Sequence, residues 1–574
     1  MVNFFLQPEE YLWVYPKDDP VLRDKIVKEF KIHPVTAEVL ISRGFTDLEK
    51  IHDFLYAKLP DLHDPFLMPD METAVQRVIE AIDRKEGILI YGDNDVDGMT
   101  GTALLADFLH YIGGRPFPYA STRTVSRDQL MVEALEAAEK NKCRLIITVD
   151  CGVSAEEELQ EVTLRGIDVI VTDHHEPTDK IPHCLATLNP KLIGSTYPNR
   201  EMTGVGVAFK LAHGITSQLS QREGAKKVDL KRYLDLVALG TVADMGVLQG
   251  ENRILVRYGL KALRRTKRVG LVHLAAISEI DLSEVTAQDI VFKLAPRLNS
   301  LGRIDDPQKG VQLLLTKNVE EANNMAKELD INNMERQRIE RLVSSEVEEL
   351  LFGHPEILQE PAITLSSGNW HPGVIAILST RLTKLYNRPS ILLAIEGGIG
   401  KGSLRSIPEF PLLPVLKKCG EMLESFGGHD LAAGLTIQEE KIEAFKAKFL
   451  ALAREALKPE DVQNRLYLDA EVGFKEITFD LLESNRLLEP YGNGNPPPLF
   501  YAKAKQPWAP KLLGRSHLRL FLEQDDRVLE GIVMNRASLL QFAKERRKAL
   551  EVAFTPDVGL FQKGSIQLLV KDFR

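Results

Sequence analysis

An α/β chain of several domains, built on a parallel sheet and ending in a small β-barrel, is the architecture this sequence predicts. Three observations carry it. The 574 residues correspond to close to four domains of about 150 residues each. From about Ala74, short β-rich runs (EGILIYGD, RLIITVDCG, DVIVTDHH) alternate with helical periodicity such as GMTGTALLADFLHYIGG, the pattern of βαβ units with helices on both sheet faces. From about Arg465, strand-like runs such as HLRLFLEQ and VLEGIVM alternate with turns over a length that suits a barrel.

Taken in order, residues 1–70 form an N-terminal lead-in of short helical patterns and proline-broken loops, with HDPFLMPDM as an irregular stretch. Residues 71–318 hold the first alternating pattern. Residues 319–353 keep helical spacing, and VEEANNMAKELDINNMERQRIERLVSSEVEEL contains no Gly or Pro, so one or two long helices are expected to connect domains. A second α/β pattern fills 354–458, with glycine-rich turns in EGGIGKGS, FGGH and AAG. The barrel occupies 459–574.

Hydrophobic residues at 44% and charged residues at 27% exclude a disordered or collagen-like chain. The net charge of −10 argues at first against a polyanion partner, but the charge is uneven. Residues 501–574 carry 14 Lys plus Arg against 8 Asp plus Glu, leaving −16 on the preceding 500. A basic tail on an acidic body suggests a binding module attached to a catalytic or metal-binding one. The cysteines (Cys143, Cys151, Cys184, Cys419) form no Cys-x-x-Cys pair, so a reducing, cytoplasmic location is expected rather than a disulfide framework or a zinc site. MVNFFLQPEEYLWVYP lacks the basic start and apolar run of a signal peptide, and no stretch is apolar enough to span a membrane.

Chemistry concentrates at the strand ends. Asp93-Asn94-Asp95-Val96-Asp97-Gly98 follows GILIY directly. Carboxylates at spacing two repel one another unless cations sit between them; an acidic helix start is the plainer alternative. Asp150 ends RLIITV, Asp173-His174-His175 ends DVIVT, and Asp244 closes DLVALGTVAD. Each alone reads as a cap or a structural histidine. Four such clusters in one βαβ domain point to metal, and oxygen ligands with one or two imidazoles suit Mn²⁺ or Mg²⁺.

In order and spacing, DNDVDG, the Asp150 strand end, DHH and VAD resemble the four motifs of the DHH phosphoesterases. PRLNSLGRIDD, NMERQRIE, WHPGVIAILSTRL, GKGSLRS, FGGHDLAAG and LEPYGNGNPPPLF resemble the RecJ branch of that family, over roughly residues 70–520. The resemblance implies a DHH domain, a smaller DHHA1 domain beyond the long helix, and an OB-like barrel. It implies a single-strand-specific exonuclease that degrades DNA 5′→3′ to mononucleotides with two metal ions, in recombination and repair. Asp95 and Asp97 match ligands of the first and second ions, with Asp93 beside them; Asp150 matches the bridging carboxylate; His174 and Asp244 complete the second site. His175 matches the histidine that contacts the scissile phosphate or moves a proton. Ser403 and Arg405 of GKGSLRS, helped by Arg297 and Arg303 of PRLNSLGRIDD, match the holders of the 5′ phosphate, and His371 and His429 fall near the cleft. Single-stranded DNA is the implied partner, with single-strand-binding protein and a helicase beside it.

Two basic elements are less specific. Arg253 to Arg268 holds seven cations and no acid, either a solvated helix face or a stripe along a DNA backbone. Trp508, Phe521, Arg515, His517 and Arg519 suit an OB-fold that stacks bases in a basic groove. The chain departs from the family where an Arg is usually followed, four residues on, by Gly-Tyr-Gly-Leu. Here the register reads Arg123, then Arg127-Asp128-Gln129-Leu130, which removes two permissive glycines and an aromatic and implies weakened or retuned activity. Asn94 replaces a common aromatic, and Gly246-Val247 stand where proline often follows the fourth acid. Two rival readings are a phosphoesterase of nano-RNA or small nucleotides, whose relatives are shorter, and a non-catalytic single-strand-binding replication scaffold.

Overall fold

The computed structural model describes residues 11–122, 130–177, 182–222, 228–546, 548–559 and 564–574. The loop departures at Arg123 and Arg127-Asp128-Gln129 lie outside the described residues. The chain forms two compact units. One comprises Tyr56–Gln337 and Pro490–Pro496; the other comprises the residues up to Leu55, Arg338–Glu489 and Pro497–Arg574.

The first unit is centred on a five-stranded parallel sheet in the order Arg115–Ala120, Gly87–Gly92, Cys143–Val149, Asp168–Thr172, Ala186–Leu188. The Gly87–Gly92 strand is buried throughout, as expected for a parallel strand covered on both faces. Its side chains alternate. Ile88 and Ile90, with Leu145 and Ile147, pack against the helices Met71–Asp83, Val96–Tyr111 and Gly204–Leu219. Leu89 and Tyr91, with Ile146 and Val171, pack against Ala134 and Leu159 on the opposite face.

The register has a direct consequence for the site. Ala120, Gly92, Val149, Thr172 and Leu188 all pair on one rung. The next residue on each strand is therefore Ser121, Asp93, Asp150, Asp173 or Asn189, which sets five polar side chains in a row. Backbone bonds carry the ladder one step further: Asp93 N–H donates to Val149 O at 3.1 Å, Asp150 N–H to Thr172 O at 2.9 Å and Asp173 N–H to Leu188 O at 3.0 Å.

The expected connector is a single 35-residue helix, Val319–Gly353. Beyond it, the second unit contains a five-stranded sheet in the order Ser425–Gly428, Ala432–Gln438, Ile399–Arg405, Ser390–Glu396, Ile363–Ser367. Only the last pair is parallel. The C-terminal module is a seven-stranded sheet from Ala470–Glu471 round to Lys511–Leu513. An antiparallel bridge between Lys505 and Glu523 draws its two ends together, consistent with a barrel.

The lead-in is more ordered than its prolines suggest. Helices Pro20–Phe30, Pro34–Ser42 and Leu48–Tyr56 follow a strand, Leu12–Val14, that pairs in parallel with Arg465–Tyr467. Asp19 caps the first helix by accepting from Leu22 N–H, and Pro20 occupies the first turn, where no donor is lost. Trp13 is buried, and its indole Nε1 donates to Asp572 Oδ2 at 2.8 Å. Trp13→Ala should therefore cost the second unit about 3–5 kcal/mol, from cavity plus lost bond. Trp13→Phe keeps most of the packing and should cost about 1 kcal/mol. Denaturant unfolding of both variants measures the difference.

Candidate metal centre

Every sequence-predicted metal ligand lies in the first unit, and the structure brings them together. Ligand atoms of Asp93, Asp95 and Asp150 lie within 4.8 Å of one another, as do those of Asp97, His174 and Asp244, and those of Asp150, His174 and His175. Asp150 belongs to two of the three groups.

Local chemistry explains each placement. Asp95 is the N-cap of Val96–Tyr111, and its Oδ1 accepts from Asp97 N–H at 2.8 Å and Gly98 N–H at 3.1 Å. Asp97 lies fully buried inside that helix and accepts from Gly204 N–H at 2.6 Å and Val205 N–H at 2.9 Å. Those two amides open the Gly204–Leu219 helix, whose positive end favours the carboxylate. Asp150 sits at φ 64°, a left-handed conformation that Asp tolerates better than most residues. Its Oδ1 is buried with no hydrogen-bond partner, although His174 Nε2 is 3.0 Å away. Asp244 caps the end of Leu234–Ala243, with Oδ2 3.7 Å from the same nitrogen.

Asp173 has a part the sequence reading left out. Its carboxylate accepts from Val153 N–H, from the backbone of His174 and His175, and from His175 Nδ1 at 2.8 Å. Asn189, next on the same rung, donates through Nδ2 to His175 O at 2.9 Å. The ring of His175 is thus oriented by Asp173 and its backbone by Asn189, two neighbours on one rung. Ser121 donates to Asp93 Oδ1 at 3.2 Å, and Asn299 Oδ1 of PRLN accepts from Val96 N–H at 3.1 Å. The NGN of LEPYGNGNP also acts here: Leu248 N–H donates to Asn493 O at 2.8 Å, and Asn493 Nδ2 to Met245 O at 2.7 Å, bracing the turn after Asp244. Polar residues in the matched strings were the available signal for Asn299 and Asn493.

Burial and mutual repulsion dominate the electrostatics. Burial, then Asp95, push the Asp93 carboxyl up to about 6, and the same two causes push Asp244 up to about 7. Asp97 and Asp150 are raised well above the carboxylate range, by burial first and neighbouring carboxylates second. Burial acts on Asp173 in the same direction, but its bond to His175 and the charge of both imidazoles hold it well below. Burial lowers His175, yet Asp173, Asp93 and Asp244 lift it to about 9. Carboxylates that resist ionising together, an orphaned buried acceptor on the shared Asp150 and two imidazoles form a donor set that fits a pair of hard divalent cations.

The remaining predicted residues are also placed. Arg297 pairs with Asp330 at 2.9 Å and donates to Lys293 O at 2.8 Å, so its guanidinium is already committed. Arg303 lies in the last turn of Ala295–Ile304. In the second unit, Arg405 Nη1 donates to Ser403 Oγ at 3.4 Å and to Leu404 O at 2.8 Å. Burial lowers Arg405, and no carboxylate offsets it. His371 is exposed and accepts from Gly373 N–H through Nδ1 at 3.0 Å. His429 sits in the turn after Ser425–Gly428, and its N–H donates to Ala432 O. In the barrel, Trp508 is half-exposed and meets Phe521 edge-on at 5.4 Å.

The basic stretch is neither a solvated face nor a continuous stripe. Arg253 is buried, Arg264 donates to Val285 O, and Arg268 pairs with Asp107 and Asp235. Only Lys261, Arg265 and Lys267 are fully exposed.

Two outcomes follow from the geometry. A Cβ on Gly204 would lie 2.5 Å from Asp150 Cβ, so Gly204→Ala should displace the shared carboxylate and weaken Mn²⁺ binding by about 10–100-fold, read by calorimetric titration. The second outcome concerns pH. Asp93 and Asp244 hold protons more tightly folded than unfolded, so their contribution to stability is full below about pH 4 and is lost as pH rises through about 6 to 7. His175 loses its contribution as pH rises through about 9. Divalent cations compete with these protons. Adding Mn²⁺ should therefore raise the unfolding temperature more at about pH 8 than at about pH 5.5, and an equal rise at both would contradict the cluster's role as a ligand set.

Residues 87–241 match the DHH family N-terminal domain, 359–455 the DHHA1 domain and 468–572 the RecJ OB domain. The single-stranded-DNA-specific exonuclease RecJ of Escherichia coli is 32% identical over 94% of this chain and 96% of its own length. The RecJ of Bacillus subtilis is 34% identical over 92% of this chain, which spans about two thirds (66%) of that longer relative. The crystal structure of Thermus thermophilus RecJ in complex with Mn²⁺ superposes with a TM-score of 0.83 at 29% identity, covering 98% of this chain and 79% of that one; its Mg²⁺ form gives 0.76. With the DHH, DHHA1 and OB domains matched in order and RecJ relatives above 30% identity over more than nine tenths of its length, the chain belongs to the RecJ family of DHH phosphoesterases.

Proposed function

We propose that this protein is a metal-dependent exodeoxyribonuclease that degrades single-stranded DNA from its 5′ end to mononucleotides, in recombination and repair. The observation that carries the reading is that three ligand groups, Asp93–Asp95–Asp150, Asp150–His174–His175 and Asp97–His174–Asp244, are linked through Asp150 and His174. Mn²⁺ or Mg²⁺ ions, when bound by Asp93, Asp95, Asp97, Asp150, His174 and Asp244, acidify a water and neutralise charge on phosphate oxygens. The protein's own part is positional. Asp150 would join the two ligand groups, Asp173 and Asn189 orient His175, and His175 holds a proton beside the reacting phosphate.

Polarity is assigned to Arg405 and Ser403. Arg405 is half-buried, and burial lowers it with no offsetting carboxylate among the described residues; a terminal phosphate would supply an anion to such a guanidinium. Arg297, tied to Asp330, holds its own helix within the first unit, and Arg303, His371 and His429 are assigned to DNA contact. Single-stranded DNA is the substrate; single-strand-binding protein and a helicase that supplies unwound ends are the partners the family pattern implies. No helix among the described residues is long and apolar enough to cross a membrane. The four cysteines are all free, which supports a cytoplasmic setting.

End-labelled oligonucleotides test the reading. Single strands should be shortened from the 5′ end only with Mn²⁺ or Mg²⁺, and duplexes spared. Asp150→Ala should lower hydrolysis by about 10³-fold or more by removing a shared ligand; near-normal activity would overturn the two-ion assignment. Arg405→Ala should slow 5′-phosphorylated strands more than 5′-hydroxyl strands, and equal losses would remove the end-reading role.

A further inference from the structure

Within the first unit, a groove of about 1000 Å³ is lined by residues far from the strand ends. Asp97 and Asp244 lie at one end of the helices Val96–Tyr111 and Leu234–Ala243, while Asp107 and Asp235 line the groove from the other. At 1.5 Å per residue the groove is roughly 15 Å from the metal centre along either helix. Eight cations line it, of which Arg232 and Arg268 face Asp107; the other six are Lys58, Lys231, Lys261, Arg265, Lys267 and Lys317. All six are exposed, and none is among the ion pairs of the described residues. By contrast, Arg268 is held by Asp107 at 3.4 Å and by Asp235 at 3.2 Å. On a body whose net charge is strongly negative, six uncompensated cations around one concavity are a local reversal of field.

The floor limits what such a groove takes. Leu59, Leu234, Val269 and Leu315 make it aliphatic. Tyr258 is its only aromatic residue, and Lys261 Nζ lies 4.9 Å from the centre of that ring, so a nucleobase has little stacking surface. Asp107, Asp229 and Asp235 also line it, which still leaves the lining net positive. A free phosphate would find solvated lysines rather than a half-buried guanidinium such as Arg405. A net positive rim around an aliphatic floor complements a peptide that alternates carboxylates with apolar side chains.

We propose that this groove docks a short acidic, aliphatic segment of a partner protein, its carboxylates on the six rim cations and one or two apolar side chains on the floor. The site is separate from the nuclease chemistry and does not depend on it.

Fluorescence anisotropy on the full chain tests this with a labelled synthetic peptide of alternating Asp and Leu. The peptide should bind, and binding should weaken steeply with salt. Asn-for-Asp and Ser-for-Leu versions should both bind at least about tenfold more weakly, as loss of either complementary feature requires. The surface variant Lys261→Glu/Arg265→Glu/Lys267→Glu should lose the Asp-Leu peptide to a similar degree while cutting a short oligonucleotide at the wild-type rate. Equal peptide binding by variant and wild type would overturn the proposal. So would displacement of the peptide by oligothymidylate together with loss of DNA binding in the variant, which would make the groove a nucleic-acid surface.

Discussion

Like charges forced together at half-buried strand ends are the constraint around which the first unit is organised. Asp93, Asp150 and Asp173 leave adjacent parallel strands on one rung, where strands are about 4.8 Å apart. The hydrophobic faces that bury the strands also strip solvent from their ends. An ionised carboxylate there needs a donor, a cation or a proton. Asp173 takes four donors and stays ionised. Asp97 takes two amides from a helix start. Asp150 Oδ1 takes none, which makes it the natural place for shared cations.

The same constraint accounts for residues that never touch the reacting atoms. Gly204 has no side chain because Asp150 occupies the space one would fill. Asn299 and Asn493 spend their polar groups on backbone segments carrying Asp97 and Asp244. A segment as distant in sequence as Pro490–Pro496 belongs to the first unit for this reason. A two-ion site tolerates little displacement of its ligands, so the loops bearing them are tied at several points.

Cationic groups are used in contrasting ways. Arg405 is half-buried beside Ser403, with no carboxylate against it among the described residues, an arrangement suited to one oriented anion. Arg268 and Arg297 are spent on internal pairs and act as struts. Lys261, Arg265 and Lys267, from the same sequence run as Arg268, remain solvated and suit a diffuse, salt-sensitive contact. Basic residues close together in sequence thus serve separate ends.

The sequence by itself determined the parallel-sheet class, the long connector, the terminal barrel and the acids at the strand ends. Those features depend on local periodicity and on residue types with few alternative uses: βαβ alternation dictates a parallel sheet, and its polar strand ends dictate where a ligand sits. Tertiary structure alone decided the rest. That all five strands end on the same rung is a matter of register between segments up to about a hundred residues apart. The pairing of Leu12–Val14 with Arg465–Tyr467 leaves no local trace in either segment. The division of Arg253–Arg268 into struts and rim depends on where Asp107 and Asp235 arrive in space, and a charge run looks the same in sequence whether or not acids from other helices come to meet it.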